Sequence, residues 1–160
     1  MSSLSLSRLP IASPALFLGG LLWVAAFWLP VFETPERIIA GYWVFAAGWL
    51  GVVVFQFAWY ANLLMLMAVI MMYTAPVRAT LLAAAGLLVA TQAFWFDVLP
   101  GATSSTEILA QGLGFWFWYG SIFLLGLGVV FGTDEFAAEG KAGVAGSVTN
   151  ASIRKEPGID

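Results

Sequence analysis

Few side chains in this sequence could do chemistry. Gln56 and Asn62 are the only amides in a run of forty uncharged residues between Arg37 and Arg78. Gln92 and Asp97 fall near the end of a second apolar run, and Gln111 opens a third. The chain has no His and no Cys. That removes disulfides, thiolate catalysis and cysteine-held iron–sulfur clusters. It also removes the usual haem ligand and the side chain that titrates near neutral pH. Ser104, Ser105 and Glu107 share a loop, but a serine nucleophile needs a positioned base and there is no His to serve. A phosphate-binding loop of the G-x-x-x-x-G-K type is also missing. No catalytic role, metal site or resident cofactor is therefore expected. A bound lipid or carotenoid-like apolar molecule needs neither His nor Cys and stays compatible with the sequence.

Two uses remain for Gln56, Asn62, Gln92, Asp97 and Gln111. Amides in apolar helices commonly bond across to a neighbouring helix, for a net of about 0.6–2 kcal/mol each. Alternatively the five line a polar pocket for a headgroup, a quinone or a small solute. Asp97 stands one turn before a loop containing Pro100 and Gly101, so it is expected at an interface, where a carboxylate costs little.

The elements that position these groups follow from composition. Hydrophobic residues make up 61% of the 160 and charged ones 9%, against about 25% charged in soluble domains. Mean hydropathy is +0.93. The reading is an all-α, multi-pass membrane protein. A crossing helix needs about 20 mostly apolar residues. Ala15–Phe32, Ala79–Val98 and Ile108–Phe131 qualify directly. The forty-residue run is too long for one helix and must break. In a four-span layout Pro35–Phe55 is an outer interfacial or re-entrant helix and Phe57–Thr74 is the span. In a five-span layout both halves cross, with a turn at FQFAWYAN. The third span of the five-span layout is short, which favours four spans. Thr34-Pro35-Glu36 reads as a helix start, with a capping hydroxyl, Pro at the first position and an acid in the first turn.

Residues 1–132 are then expected to form the transmembrane domain and 133–160 a polar cytoplasmic tail. The positive-inside rule places Arg78 and the C-terminal tail in the cytoplasm in either layout, and the four-span layout puts the N-terminus there as well. The polar groups above fall in the outer half. So do most tryptophans, with Trp23 deeper. Trp43, Trp49, Trp59, Trp95, Trp116 and Trp118 form a one-sided aromatic surface suited to a partner or to lipid.

Three pieces, Phe27-Trp28-Leu29-Pro30, Gly48-Trp49-Leu50-Gly51 and Gln56-Phe57-Ala58-Trp59-Tyr60-Ala61-Asn62, together resemble a set of small, uncharacterised bacterial inner-membrane proteins. Leu63 stands where that set typically has Pro. The resemblance covers about residues 15–95 and implies a bacterial inner membrane, with no activity attached. The expected role is a non-catalytic accessory subunit of a larger membrane complex, in contact with other integral subunits and lipids and not with nucleic acid. The alternative is a small transporter or a lipid- or quinone-binding protein with an outward-facing polar pocket.

Overall fold

The computed structural model describes residues 12–99 and 106–153. Arg8 and the loop at 100–105 lie outside the described residues. So do residues 154–160 at the end of the expected tail.

Helix α1 (Ala12–Trp28) ends where Pro30 lacks the N–H that would continue it. Strands β1 (Pro30–Glu33) and β2 (Ile38–Ala40) form an antiparallel hairpin. Here the structure corrects the expected helix start. The Thr34 hydroxyl donates to the Arg37 carbonyl at 2.7 Å and accepts the Arg37 N–H at 3.2 Å. Thr34 therefore cinches a turn instead of capping a helix, and Ile38 and Ile39 continue as strand, as β-branched residues favour.

The helix begins later, as α2 (Gly41–Ala47). It tightens into a 3-10 segment, Gly48–Val54. The run then reverses at Phe55, which is left-handed at φ 59 and ψ 27. A short 3-10 turn (Ala58–Tyr60) leads into α3 (Ala61–Met71). The break therefore falls at Phe55–Phe57, inside the quoted stretch and ahead of Asn62. Ala75 leaves the helical region at φ −145 and ψ 70, as residues before Pro tend to, and α4 (Pro76–Thr91) starts at Pro76. Another 3-10 turn, Gln92–Trp95, follows. Strands β3 (Val98–Leu99) and β4 (Thr106–Glu107) pair with each other. Strand β5 (Ala110–Gln111) adds to β1 to make the order β2-β1-β5. Helix α5 (Leu113–Ile153) closes the fold. Its backbone continues unbroken through the composition change at Thr133.

The protein is mostly helical, with two small sheets gathered at one end of the bundle. Among the described residues, two helical stretches are long and apolar enough to cross a membrane, Pro76–Trp95 with 20 residues and Leu113–Asp134 with 22. Pro14–Trp28, Gly41–Val54 and Ala58–Met71 are shorter apolar helices.

The main helix pairings are α1 with α5, α3 with α4 and α4 with α5. On α4 the buried residues Ala79, Ala83, Gly86 and Ala90 recur at helical spacing and form one stripe. Small residues there let α4 approach Ala61 and Leu64 of α3 closely. Met65, Ala68, Met72, Ile122 and Val129 complete this core. A second core of Val31, Phe32, Ala58, Ala93 and Phe115 lies under the sheet. Gly41 marks the tightest backbone approach near it. Its N–H donates to the Leu29 carbonyl at 3.0 Å, and any Cβ would strike the carbonyl oxygen of Ala26. The outward helix faces stay apolar. Phe17, Leu21, Val24 and Trp28 of α1, and Val77, Leu81 and Leu88 of α4, are each about half exposed or more.

Candidate functional site: an aromatic cavity fastened by Asn62

Asn62 lies in the first turn of α3, where the chain enters the bundle. Its Oδ1 accepts two indole N–H groups, from Trp23 Nε1 at 3.0 Å and Trp118 Nε1 at 3.0 Å. Its Nδ2 donates to the Trp59 carbonyl at 2.8 Å. An indole nitrogen only donates, so the two indoles fix which side of the amide is oxygen. One side chain thus fastens α1, α5 and the 3-10 turn before α3. Both acceptor positions of its oxygen are used, and one of its two amide hydrogens.

The reversal beside it is secured in the same way. Gln92, just past α4, donates from Nε2 to the Phe55 carbonyl at 2.7 Å and accepts the Phe57 N–H at 2.6 Å. This pair of bonds satisfies the backbone groups that the left-handed turn leaves outside a helix. Trp59 Nε1 donates to the Phe45 carbonyl at 2.9 Å, and the Tyr60 hydroxyl to the Trp49 carbonyl at 3.1 Å. Both bonds tie the turn back to the preceding helical stretch.

These contacts surround a cavity of about 360 Å³. Its walls come from α1, the β1–β2 hairpin, α2 with its 3-10 extension, and the start of α5. Rings dominate the lining. Trp23 meets Phe27 at 4.6 Å and Phe45 at 5.7 Å between centroids, and Phe45 meets Trp59 at 5.8 Å. On the far wall Phe115 packs against Phe94 at 5.2 Å and Trp118 at 6.1 Å. Thr34, Glu36 and Arg37 supply one polar end. The rest of the lining carries no ionisable group, and Gln56 and Asn62 are its amides.

The structure therefore separates the five expected polar residues. Gln56 and Asn62 line the cavity. Gln92 stands behind the reversal and holds it. Asp97 is exposed, and its backbone carbonyl accepts the Ile108 N–H at 2.9 Å. Gln111 sits in β5 opposite Phe32. The tryptophans divide too. Trp43, Trp59 and Trp118 line the cavity, whereas Trp49, Trp95 and Trp116 do not; these three and Trp43 are more than half exposed.

Sequence reasoning passed over Trp23 and the Glu36–Arg37 pair. Trp23, expected deeper and apart, shares Asn62 with Trp118. A usable signal existed: a buried Trp normally finds a partner for its N–H, and acceptors are scarce in these runs. No group of three or more His, Cys, Asp or Glu residues able to hold a metal occurs among the described residues. What the arrangement can do is hold an apolar body among rings, with charge at one end only. Comparison with known proteins gives no match to a family model, a curated protein or a solved structure.

Proposed function

We propose that this chain is a small integral membrane protein that binds one apolar or amphipathic molecule, of the lipid or quinone class, in the aromatic cavity. The observation that carries the reading is the cavity itself. Its 360 Å³ falls in the range of about 300–1,000 Å³ usual for small-molecule sites, as does its mainly apolar lining with a few polar groups. The apolar outward faces of α1 and α4 support a lipid surround. In this reading the bilayer is crossed four times, by α1, by Ala58–Met71, by α4 with its 3-10 turn and by the first part of α5. The helix Gly41–Val54 packs at the outer side. The two shorter spans are accommodated by local thinning of the bilayer. Arg78, at the end away from the sheets, orients that end toward the cytoplasm of a bacterial inner membrane. Both termini then lie inside. The role is binding and not catalysis.

A neutral polyene alcohol, excited by energy transfer from the indoles, tests this in detergent micelles. Transfer is expected to saturate at one molecule per chain. Ala47, an exposed residue at the cavity wall, offers the control: Ala47→Trp fills the space and should abolish saturable transfer. Transfer that never saturates, or that is unchanged in Ala47→Trp, overturns the proposal.

A second reading rests on a different observation. Trp28, Trp43, Trp49, Trp95 and Trp116 are each more than half exposed, an excess suited to packing against other integral subunits as an accessory component. A monodisperse monomer that retains no partner after gentle extraction would remove it.

A further inference from the structure

We propose that the occupant of the cavity is a zwitterionic amphiphile, a phospholipid-type molecule whose head carries a phosphate and an amine. This rests on the small-molecule reading above and names the ligand's head. The cavity is apolar along its length and charged only where the β1–β2 turn borders it, through Glu36 and Arg37. Thr34 holds that turn through the Arg37 N–H and carbonyl, so the backbone that carries the acid and the base is held where it borders the cavity. Both are exposed and belong to the polar end of the lining, so a head can reach them while the chain lies among the rings.

The surroundings discriminate among heads. Glu33 lies at the end of β1, paired with Ala110 of β5. The Leu109 N–H donates to the Glu33 carbonyl, and the Ile108 N–H to the Asp97 carbonyl. Glu107 pairs with Val98. Glu33, Glu36, Asp97 and Glu107 therefore share one end of the fold, and Arg37 is the single cation there among the described residues. A purely anionic amphiphile meets repulsion from four carboxylates. A purely cationic one is attracted to the end but must set its charge beside Arg37. A zwitterion satisfies both, with phosphate at Arg37 and amine toward Glu36 and the acidic surround. Guanidinium–phosphate pairing is among the stronger charge-assisted bonds.

The test uses one polyene acyl chain in three forms: a single-chain phosphoethanolamine lipid, the free acid and the alcohol. Each is titrated into the purified full chain in a neutral detergent, with energy transfer from the indoles as the readout. The zwitterion is expected to bind more tightly than the acid. Arg37→Gln and Glu36→Gln should each weaken the zwitterion about threefold, the scale of an exposed ion pair, and leave the alcohol unchanged. Glu36→Gln should also strengthen the acid. Equal binding of the three forms, or a zwitterion affinity indifferent to both variants, overturns the head assignment while the cavity reading stands. Failure of all three to bind, the alcohol included, overturns both. The two residues are exposed, and the turn that carries them is held through the Arg37 backbone and not through their side chains, so the variants are expected to fold.

Discussion

Replacing Asn62 with Leu keeps the volume and removes every polar atom. Three hydrogen bonds disappear, to Trp23, Trp118 and the Trp59 carbonyl. Two indole N–H groups are left facing an aliphatic side chain. At about 0.6 kcal/mol per bond in a lipid-embedded bundle, the loss is about 2 kcal/mol. With the larger cost of leaving donors unpaired, it rises to about 4 kcal/mol. The number that tests the geometry is the coupling. Trp118→Phe alone loses one bond and some ring area. In the Asn62→Leu background that bond is already gone and the orphaned donor is removed, so the second change should cost about 1 kcal/mol less. Denaturant unfolding followed by pulse proteolysis measures all four corners without relying on tryptophan signals. Parallel changes at Trp23 should give coupling of the same sign. A coupling within about 0.3 kcal/mol of zero at both tryptophans would refute the shared-oxygen clasp, whatever the single substitutions cost.

Gln92→Leu removes both bonds to the reversal and should cost about 2 kcal/mol, with faster hydrogen exchange at the Phe57 amide. Gln92→Glu keeps the acceptor and loses the donor, so it should cost about half as much; an unprotected Phe57 amide in the parent protein would contradict this. Phe55 is left-handed and 75% exposed, so its ring adds little packing. Phe55→Gly should relieve about 1–2 kcal/mol of backbone strain against about 0.5–1 kcal/mol of added chain entropy. A net gain of up to about 1 kcal/mol in unfolding free energy is expected, and a loss of more than that would show the ring to be needed.

The parts of the fold legible in the sequence are those set by short-range chemistry. The uncharged run breaks between Phe55 and Asn62, and the apolar run from Ala79 falls in α4. Local chemistry misled at Thr34-Pro35-Glu36. A hydroxyl followed by Pro and an acid suits a helix start and also a tight turn, since Pro presets the same φ in both. The following Ile38 and Ile39, at home in a strand, tip the balance. At the site, Asn62 was recognisable as a buried amide, but its partners were not. Trp23 is 39 residues before it and Trp118 is 56 after it. Asn62 reaches one backbone group of the turn, the Trp59 carbonyl, whereas the Phe55 carbonyl and the Phe57 N–H bond Gln92, more than 30 residues away. Side chains that serve another segment's backbone leave no periodic trace in their own.

The clasp at Asn62 has an optical consequence. Trp23 and Trp118 each place Nε1 at 3.0 Å from the same oxygen, so the two nitrogens are no more than about 6 Å apart. Indoles held that close in a fixed mutual orientation couple their electronic transitions and give a paired circular dichroism band of opposite signs. The band exists only while α1, α3 and α5 are assembled. It should vanish in Trp23→Phe and in Trp118→Phe alike, and an occupant that shifts either ring would change its amplitude. The protein thus carries its own chromophore pair for reporting assembly and occupancy, with no label attached.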